Sequence, residues 1–207
     1  MKQLEYSVRF NTPAFLGNAE QSGQWRTPPI KALLRQWWRV AYAAEHGFPK
    51  DIRAMRQEEG LLFGHAWLED DCDERGQKVA ARKSLVRLRL DSWANGTLCS
   101  WDGLEQGTVH HPETEKTHYK VGPHAYLGYG PLDGRGGTKF TRKDNAAIQV
   151  GETARLSLAV PNEHASRIQR ALMLMDRYCT LGGRSRTRLL RAATFCPRSS
   201  QSSSSQA

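Results

Sequence analysis

The sequence has no long apolar run. No stretch approaches the roughly 18 apolar residues of a membrane-spanning helix, and the first ten residues, MKQLEYSVRF, lack the apolar segment of a secretory signal. We therefore expect a cytoplasmic protein that does not cross a membrane.

Cysteine is also scarce, and catalytic signatures are missing. The four cysteines form no C-x-x-C pair, which argues against a zinc ribbon and against a dense disulfide framework. No P-loop, G-x-S-x-G or H-E-x-x-H motif occurs, and the DGRGG turn at residues 133–137 is a weak phosphate signal. We predict no catalytic residue, no metal site and no cofactor.

The sequence is rich in positive charge. The formal net charge is +9 and the isoelectric point is near 9.7. Acidic residues concentrate in residues 51–74, whereas the segment from Ser166 onward carries eight arginines against one acid, Asp176. Because neutralised phosphates release condensed counterions, this asymmetry indicates a phosphate-binding face and an anionic partner.

Residue spacing predicts an α+β domain. Apolar alternation favours strands at residues 4–10, 83–93 and 151–161, and an extended segment or strand at 119–129. Helical spacing predicts a helix from Thr27, its N-cap, to Gly47, a second at residues 51–63, and a third at 162–179 capped by Asn162. This order fits a ferredoxin-like fold with an antiparallel sheet and packed helices. We expect one domain at residues 1–190 and a low-complexity, disordered tail at 191–207.

The first predicted helix has an apolar face and a cationic stripe. Trp37 and Trp38 lie on the apolar face, which favours a place in the core over base stacking, whereas Lys31, Arg35 and Arg39 follow i, i+4, i+8 spacing. The helix follows a glycine and proline loop that bears Arg26, so cations and backbone N–H groups can converge on phosphate oxygens. A solvated face with cationic stems lying over the aromatic rings is the alternative.

A loop at residues 109–124 concentrates four histidines, His110, His111, His118 and His124. A histidine there could serve as the general base of metal-independent RNA cleavage, and Glu113 and Glu115 could complete a metal site. Because the loop lacks a helical i, i+4 frame, a solvated polar loop is the interpretation we favour.

Four segments together resemble the N-terminal RAMP domain of the first subunit of type III-B CRISPR (Cmr) effector complexes. TPAFLGNAEQSGQWRTPPIKALLRQWWR resembles the N-terminal signature, EEGLLFGHA and AYLGYG resemble the segments that follow, and LGGRSRTR is similar to the RAMP glycine-rich loop. The resemblance implies an RRM-like fold and a non-cleaving subunit of a crRNA-guided antiviral ribonucleoprotein, which contacts crRNA, target RNA and neighbouring subunits. It marks as RNA-binding Arg26, Lys31, Arg35, Arg39, Arg184, Arg186 and Arg188.

The sequence departs from that family at three points. Ala32 stands where the family has glycine, the sequence after Arg188 does not resume a glycine-containing strand, and only one of two RAMP-like halves is visible. A single-domain homologue, a truncated product or a shifted reading frame near residue 187 would each explain this. Two other functions stay open: a guide-processing endoribonuclease that uses His110 or His111, and a protein-interaction module of the same complex.

Overall fold

The computed structural model describes residues 1–20, 22–66, 68, 71–101, 107–110, 120–128, 130–134, 137–141, 147–182 and 193–198. It contains helices and antiparallel strands, which confirms the predicted α+β class. The helices are α1 (Thr27–Glu45), α2 (Arg53–Phe63), α3 (Pro123–Leu127) and α4 (Ala165–Tyr178). The strands are β1 (Lys2–Phe10), β2 (His65–Ala66), β3 (Ala81–Arg82), β4 (Arg87–Leu90), β5 (Val109–His110), β6 (Lys120–Val121), β7 (Leu132–Asp133), β8 (Lys139–Phe140), β9 (Thr153–Val160) and β10 (Ala193–Pro197).

The main sheet has the strand order β10, β1, β9, β4, and every neighbouring pair is antiparallel. Along the chain, these four strands and the two long helices α1 and α4 run in the order strand, helix, strand, strand, helix, strand. In the register, Val8 lies opposite Ala154 on one side and Phe195 on the other, and Leu90 lies opposite Leu156. Because side chains alternate along a strand, this register collects the apolar side chains on one face.

Helices α1 and α4 cover that apolar face. The α4 residues Ile168, Ala171, Leu172 and Met175 are buried. Trp38 of α1 is buried as well, which confirms that Trp38 belongs to the core. Trp37 is only half-buried and stacks on the exposed Tyr178 with 6.1 Å between ring centroids. A smaller apolar cluster beside the main core contains Phe15, Leu98, Trp101, Leu132 and Ala147.

Helix α1 begins one residue earlier than its predicted cap implied. Thr27 is the first helical residue, and Arg26 occupies the N-cap position with extended backbone and no capping hydrogen bond from its side chain. A capping oxygen accepts from the N–H of the second or third helical residue. Those residues are Pro28 and Pro29, which have no N–H. The missing donors explain why Arg26 forms no side-chain cap. The prediction of Thr27 as N-cap is wrong, because Thr27 already lies inside the helix.

Helix α4 also begins differently. Asn162 opens a 3-10 turn, Asn162–His164, in which the His164 N–H donates to the Pro161 carbonyl over 3.1 Å. The α-helix follows from Ala165 with His164 as its N-cap, so Asn162 is not the cap.

Two predicted strands are shorter than expected. Strand β4 covers only part of residues 83–93, because the Leu85 and Val86 N–H groups donate to the Leu62 carbonyl at the end of α2 instead of to a neighbouring strand. Residues 120–121 form β6, but the chain then turns at Gly122 into α3 and does not continue extended.

The C-terminal boundary also needs correction. Residues 193–197 form the edge strand β10, which pairs with β1 inside the range predicted as tail. The Phe195 side chain is buried, and its N–H donates to Asp176 Oδ1 over 2.8 Å. The sheet therefore extends past residue 190. A five-residue strand whose described side chains include one buried apolar residue, Phe195, has too weak an alternation to be recognised without its partner.

Candidate nucleic-acid interface

The N-terminus of α1 supplies fewer phosphate donors than the sequence suggested. The Arg26 guanidinium donates from Nη1 to the Gly17 carbonyl over 2.5 Å, so this side chain holds the preceding loop against the helix. Pro28 and Pro29 remove two of the N–H groups that an anion at a helix start would use. The helix start therefore keeps the N–H group of Thr27 but offers an anion fewer donors than the sequence suggested.

The predicted stripe does lie on one face of α1, and two of its members share a buried carboxylate. Glu59 of α2 is 4% exposed. Arg35 donates from Nε to Glu59 Oε1 over 2.8 Å. Arg39 donates from Nε to Oε2 over 2.7 Å and from Nη2 to Oε1 over 2.8 Å. Two guanidiniums against one carboxylate leave a net positive charge at this contact between the helices.

A cavity of about 310 Å³ opens at this contact, and we call it the α1–α2 pocket. Arg35, Arg39, Arg56, Glu59 and His65 line it together with apolar residues of α2 and the β2 region. The Arg35 and Arg39 side chains remain 35% and 47% exposed. The Arg35–Glu59 bond uses only Nε, which leaves the two terminal guanidinium nitrogens for an anion.

Lys31 completes the stripe without joining the Glu59 contact. Its partial burial lowers the pKa of the ammonium group, and the nearby positive charge of Arg35 lowers that pKa further. A phosphate bound beside both side chains would reverse the second effect, because an opposite charge favours the charged form. Lys31 is thus placed to respond to an anion at the stripe.

A second layer of hydrogen bonds supports the wall of the pocket. Asp71 is 4% exposed and accepts hydrogen bonds from both nitrogens of the Arg82 fork and from His65 Nε2, the last over 2.6 Å. The hydrogen bond from Arg82 lowers the pKa of the Asp71 carboxyl, although burial opposes this shift. The Leu68 N–H donates to His65 Nδ1 over 3.2 Å, so His65 carries its proton on Nε2 and donates it to Asp71.

The sequence prediction missed Glu59, Arg56 and the His65–Asp71–Arg82 cluster. EEGLLFGHA includes both Glu59 and His65, but nothing in a linear segment shows that Glu59 points at α1. Helical spacing offered one usable signal, because Met55, Glu59 and Leu62 lie on one face of α2. An acid on the apolar face of a helix indicates a buried ionic partner.

Several predicted site residues lie outside the described part of the chain. These are Arg184, Arg186 and Arg188 of the glycine loop, together with His111 and His118. Among the described residues, no group of three or more histidine, cysteine, aspartate or glutamate side chains is arranged to hold a metal. Within the same residues, no helix is both long and apolar enough to cross a bilayer.

Among known proteins, the chain is similar in fold to chains of solved structures. No protein-family model and no curated protein sequence matches the chain. Chains of solved structures do match. One of them belongs to a structure titled "Type IV-B CRISPR Complex", with a TM-score of 0.51 and 11% sequence identity over 99% of this chain and 94% of that one. This similarity supports a shared fold across nearly the whole length of both chains.

Proposed function

We propose that this chain is an RNA-binding subunit of a CRISPR crRNA-guided ribonucleoprotein and that it holds RNA without cleaving it. The observation that carries the proposal is the fold shared, over almost all of both chains, with a chain of a type IV-B CRISPR complex. The net charge of +9 and the positive α1–α2 pocket agree with an anionic partner. Its partners would be crRNA, target RNA and other subunits, in the cytoplasm.

A finer assignment also belongs to the proposal. The four strands of the main sheet and the helices α1 and α4 follow the chain order strand, helix, strand, strand, helix, strand. Within the sheet, the fourth of these strands lies beside the first, the first beside the third, and the third beside the second. Both orders support a ferredoxin-like RAMP domain. Membership of a type III-B complex rests on the sequence motifs alone, because the structural neighbour carries a type IV-B title. We therefore give more weight to the CRISPR effector class than to the subtype.

The α1–α2 pocket suits contacts with the phosphate backbone. Arg35, Arg39 and Arg56 present planar guanidiniums, which bind phosphate oxygens through two parallel hydrogen bonds. The carboxylate of Glu59 orients the first two of them before any ligand arrives. Contacts of this kind give affinity that falls steeply with salt and shows little base preference.

The test compares two variants with the same change in charge. Changing Arg35 and Arg39 alone would leave Glu59 buried without a partner, so the test variant is Arg35→Gln/Arg39→Gln/Glu59→Gln. The control variant, Glu74→Gln/Arg75→Gln/Lys78→Gln, also removes two cations and one acid, at exposed positions. Binding of a labelled uridine oligoribonucleotide is measured from about 50 to about 200 mM salt, and the RNA is checked for cleavage.

We expect the wild type to bind and leave the RNA intact. Each lost phosphate contact lowers the slope of log affinity against log salt concentration, the salt slope, by about 0.7. Near 0.1 M salt this lowers the affinity about 5-fold per contact, so the loss of two contacts lowers it about 25-fold. The control variant should bind like the wild type. A wild type that ignores RNA at the lowest salt refutes the proposal, and cleaved RNA replaces it with the endoribonuclease alternative.

A protein-interaction module is the second candidate, and one surface favours it. A cleft of about 530 Å³ lies between α1 and the end of α4. The described residues that line it are all uncharged, among them Leu33, Trp37, Val40, Tyr178 and Leu181. Val40 and Tyr178 are exposed there. Such a surface suits a neighbouring subunit better than a phosphate backbone.

A further inference from the structure

The outer face of the main sheet is a broad polar surface. Helices α1 and α4 cover only the inner face, and the alternate positions of β1, β4 and β9 point away from them. Those outward positions are exposed or half-buried and include no large apolar and no aromatic side chain. They are Gln3, Glu5, Ser7, Arg9, Arg87, Arg89, Thr153, Arg155, Ser157 and Ala159.

Four arginines cross this face in a diagonal row. Arg9 of β1 lies opposite Thr153, and Arg155 lies two residues farther along β9. On the other side of β9, Arg89 lies opposite Ser157 and Arg87 opposite Ala159. With about 3.4 Å per residue and about 4.8 Å between strands, neighbouring arginines are about 7–8 Å apart, and the row spans about 20 Å. We call this row the arginine diagonal.

Acidic groups offset only part of this charge. Asp91 accepts a hydrogen bond from the Arg155 N–H at Oδ1 over 2.7 Å, and its Oδ2 lies 3.8 Å from Arg155 Nε. Glu5 is on the same face, opposite Ser157, on the same strand as Arg9 and four residues before it. Arg9, Arg87 and Arg89 form no ion pair within the described part of the chain. Four arginines against two acids, Asp91 and Glu5, leave this face with a surplus of about two positive charges.

The chemistry of the surface identifies its ligand. A single row of guanidiniums on an open face is complementary to one anionic backbone with regularly spaced phosphates. Because the outward positions of β1, β4 and β9 provide no aromatic ring for base stacking, recognition would not depend on the bases. On the understanding that the proposed function holds, we propose that the arginine diagonal is a second RNA-binding surface. It binds the phosphate backbone of a single RNA strand on the side of the sheet opposite α1.

Three variants of the full chain test this surface. Arg9→Gln/Arg87→Gln/Arg89→Gln removes three cations of the diagonal, and the control Lys50→Gln/Arg75→Gln/Lys78→Gln removes three exposed cations elsewhere. Asp91→Asn removes the opposing charge but keeps an oxygen that accepts the Arg155 N–H. The probe is the labelled uridine oligoribonucleotide, with an adenosine oligoribonucleotide and duplex RNA as competitors. Thermal unfolding confirms that each variant is folded.

We expect the diagonal variant to lose about 100-fold in affinity near 0.1 M salt and about 2 in salt slope, from about 0.7 per contact. The control should stay close to wild type, Asp91→Asn should bind more tightly, and the two homopolymers should compete equally. A diagonal variant that binds like the wild type overturns this inference and leaves the proposed function standing. A wild type that binds no RNA overturns both. Equal competition by duplex RNA overturns the assignment to a single strand.

Discussion

Glu59 offers the most informative single substitution, because it should change stability and RNA affinity in opposite directions. Its carboxylate is buried, and it accepts three hydrogen bonds of 2.7–2.8 Å from Arg35 and Arg39. Glu59→Gln keeps the size of the side chain but turns one acceptor oxygen into an N–H donor group that faces guanidinium donors.

The expected loss of stability follows from this geometry. A hydrogen bond to a charged group contributes about 1.5–3 kcal/mol, and breaking a fully buried ion pair costs about 3–5 kcal/mol. Here the two guanidiniums are 35% and 47% exposed, so water screens them, and the substituted amide retains one acceptor. We therefore expect a cost of about 2 kcal/mol. For a chain of this size, that corresponds to a fall in Tm of about 4–8 °C.

The same substitution should strengthen RNA binding. Removing the carboxylate leaves Arg35 and Arg39 without their anion, so a phosphate becomes the counter-charge for both. Gaining the equivalent of one phosphate contact corresponds to about 5-fold tighter binding near 0.1 M salt.

The assays are thermal unfolding by circular dichroism and oligoribonucleotide binding, with Glu74→Gln as the control at an exposed acid. An unchanged Tm would show that Glu59 does not hold α1 against α2. A lower Tm with unchanged or weaker RNA binding would show that the α1–α2 contact is only structural, which refutes the assignment of the pocket to RNA.

Two further predictions concern the acid stability of the fold and its thiols. Burial raises the pKa of Glu152, but hydrogen bonds from the Thr97 and Gln149 backbone and from Trp25 outweigh it, so the pKa lies below the usual 4.5. The carboxylate therefore stabilises the fold above that pH, and its contribution is lost as the pH falls through the folded-state pKa. Glu152→Gln should consequently make the fall of Tm at acid pH less steep than in the wild type. An equally steep fall in both proteins would contradict this. Burial also raises the pKa of Cys179 to about 12. Near pH 8, a thiol reagent should therefore modify Cys179 only after unfolding, whereas the exposed thiols react at once. Rapid labelling of Cys179 would disprove its burial.

Part of the candidate site was predictable because helical spacing is a local property. The i, i+4, i+8 spacing placed Lys31, Arg35 and Arg39 on one face of α1, and the structure keeps them there. Arg26 was predicted as a phosphate contact, but it donates to the Gly17 carbonyl. That interaction depends on the path of the preceding loop, which residue spacing does not reveal.

Local residue spacing was enough to locate the elements whose patterns repeat over a full face, which are β1, β9, α1, α2 and α4. Two-residue alternation and 3.6-residue spacing are set by neighbours along the chain, so they are visible without tertiary contacts. How these elements pair is visible only in the folded chain. Folding brought β10 to the edge of β1, aimed Glu59 at α1, and aligned Arg9, Arg155, Arg89 and Arg87 across three strands. The physical reason is that strand register and helix packing join residues far apart in the chain, and their side chains acquire shared partners only when those elements meet.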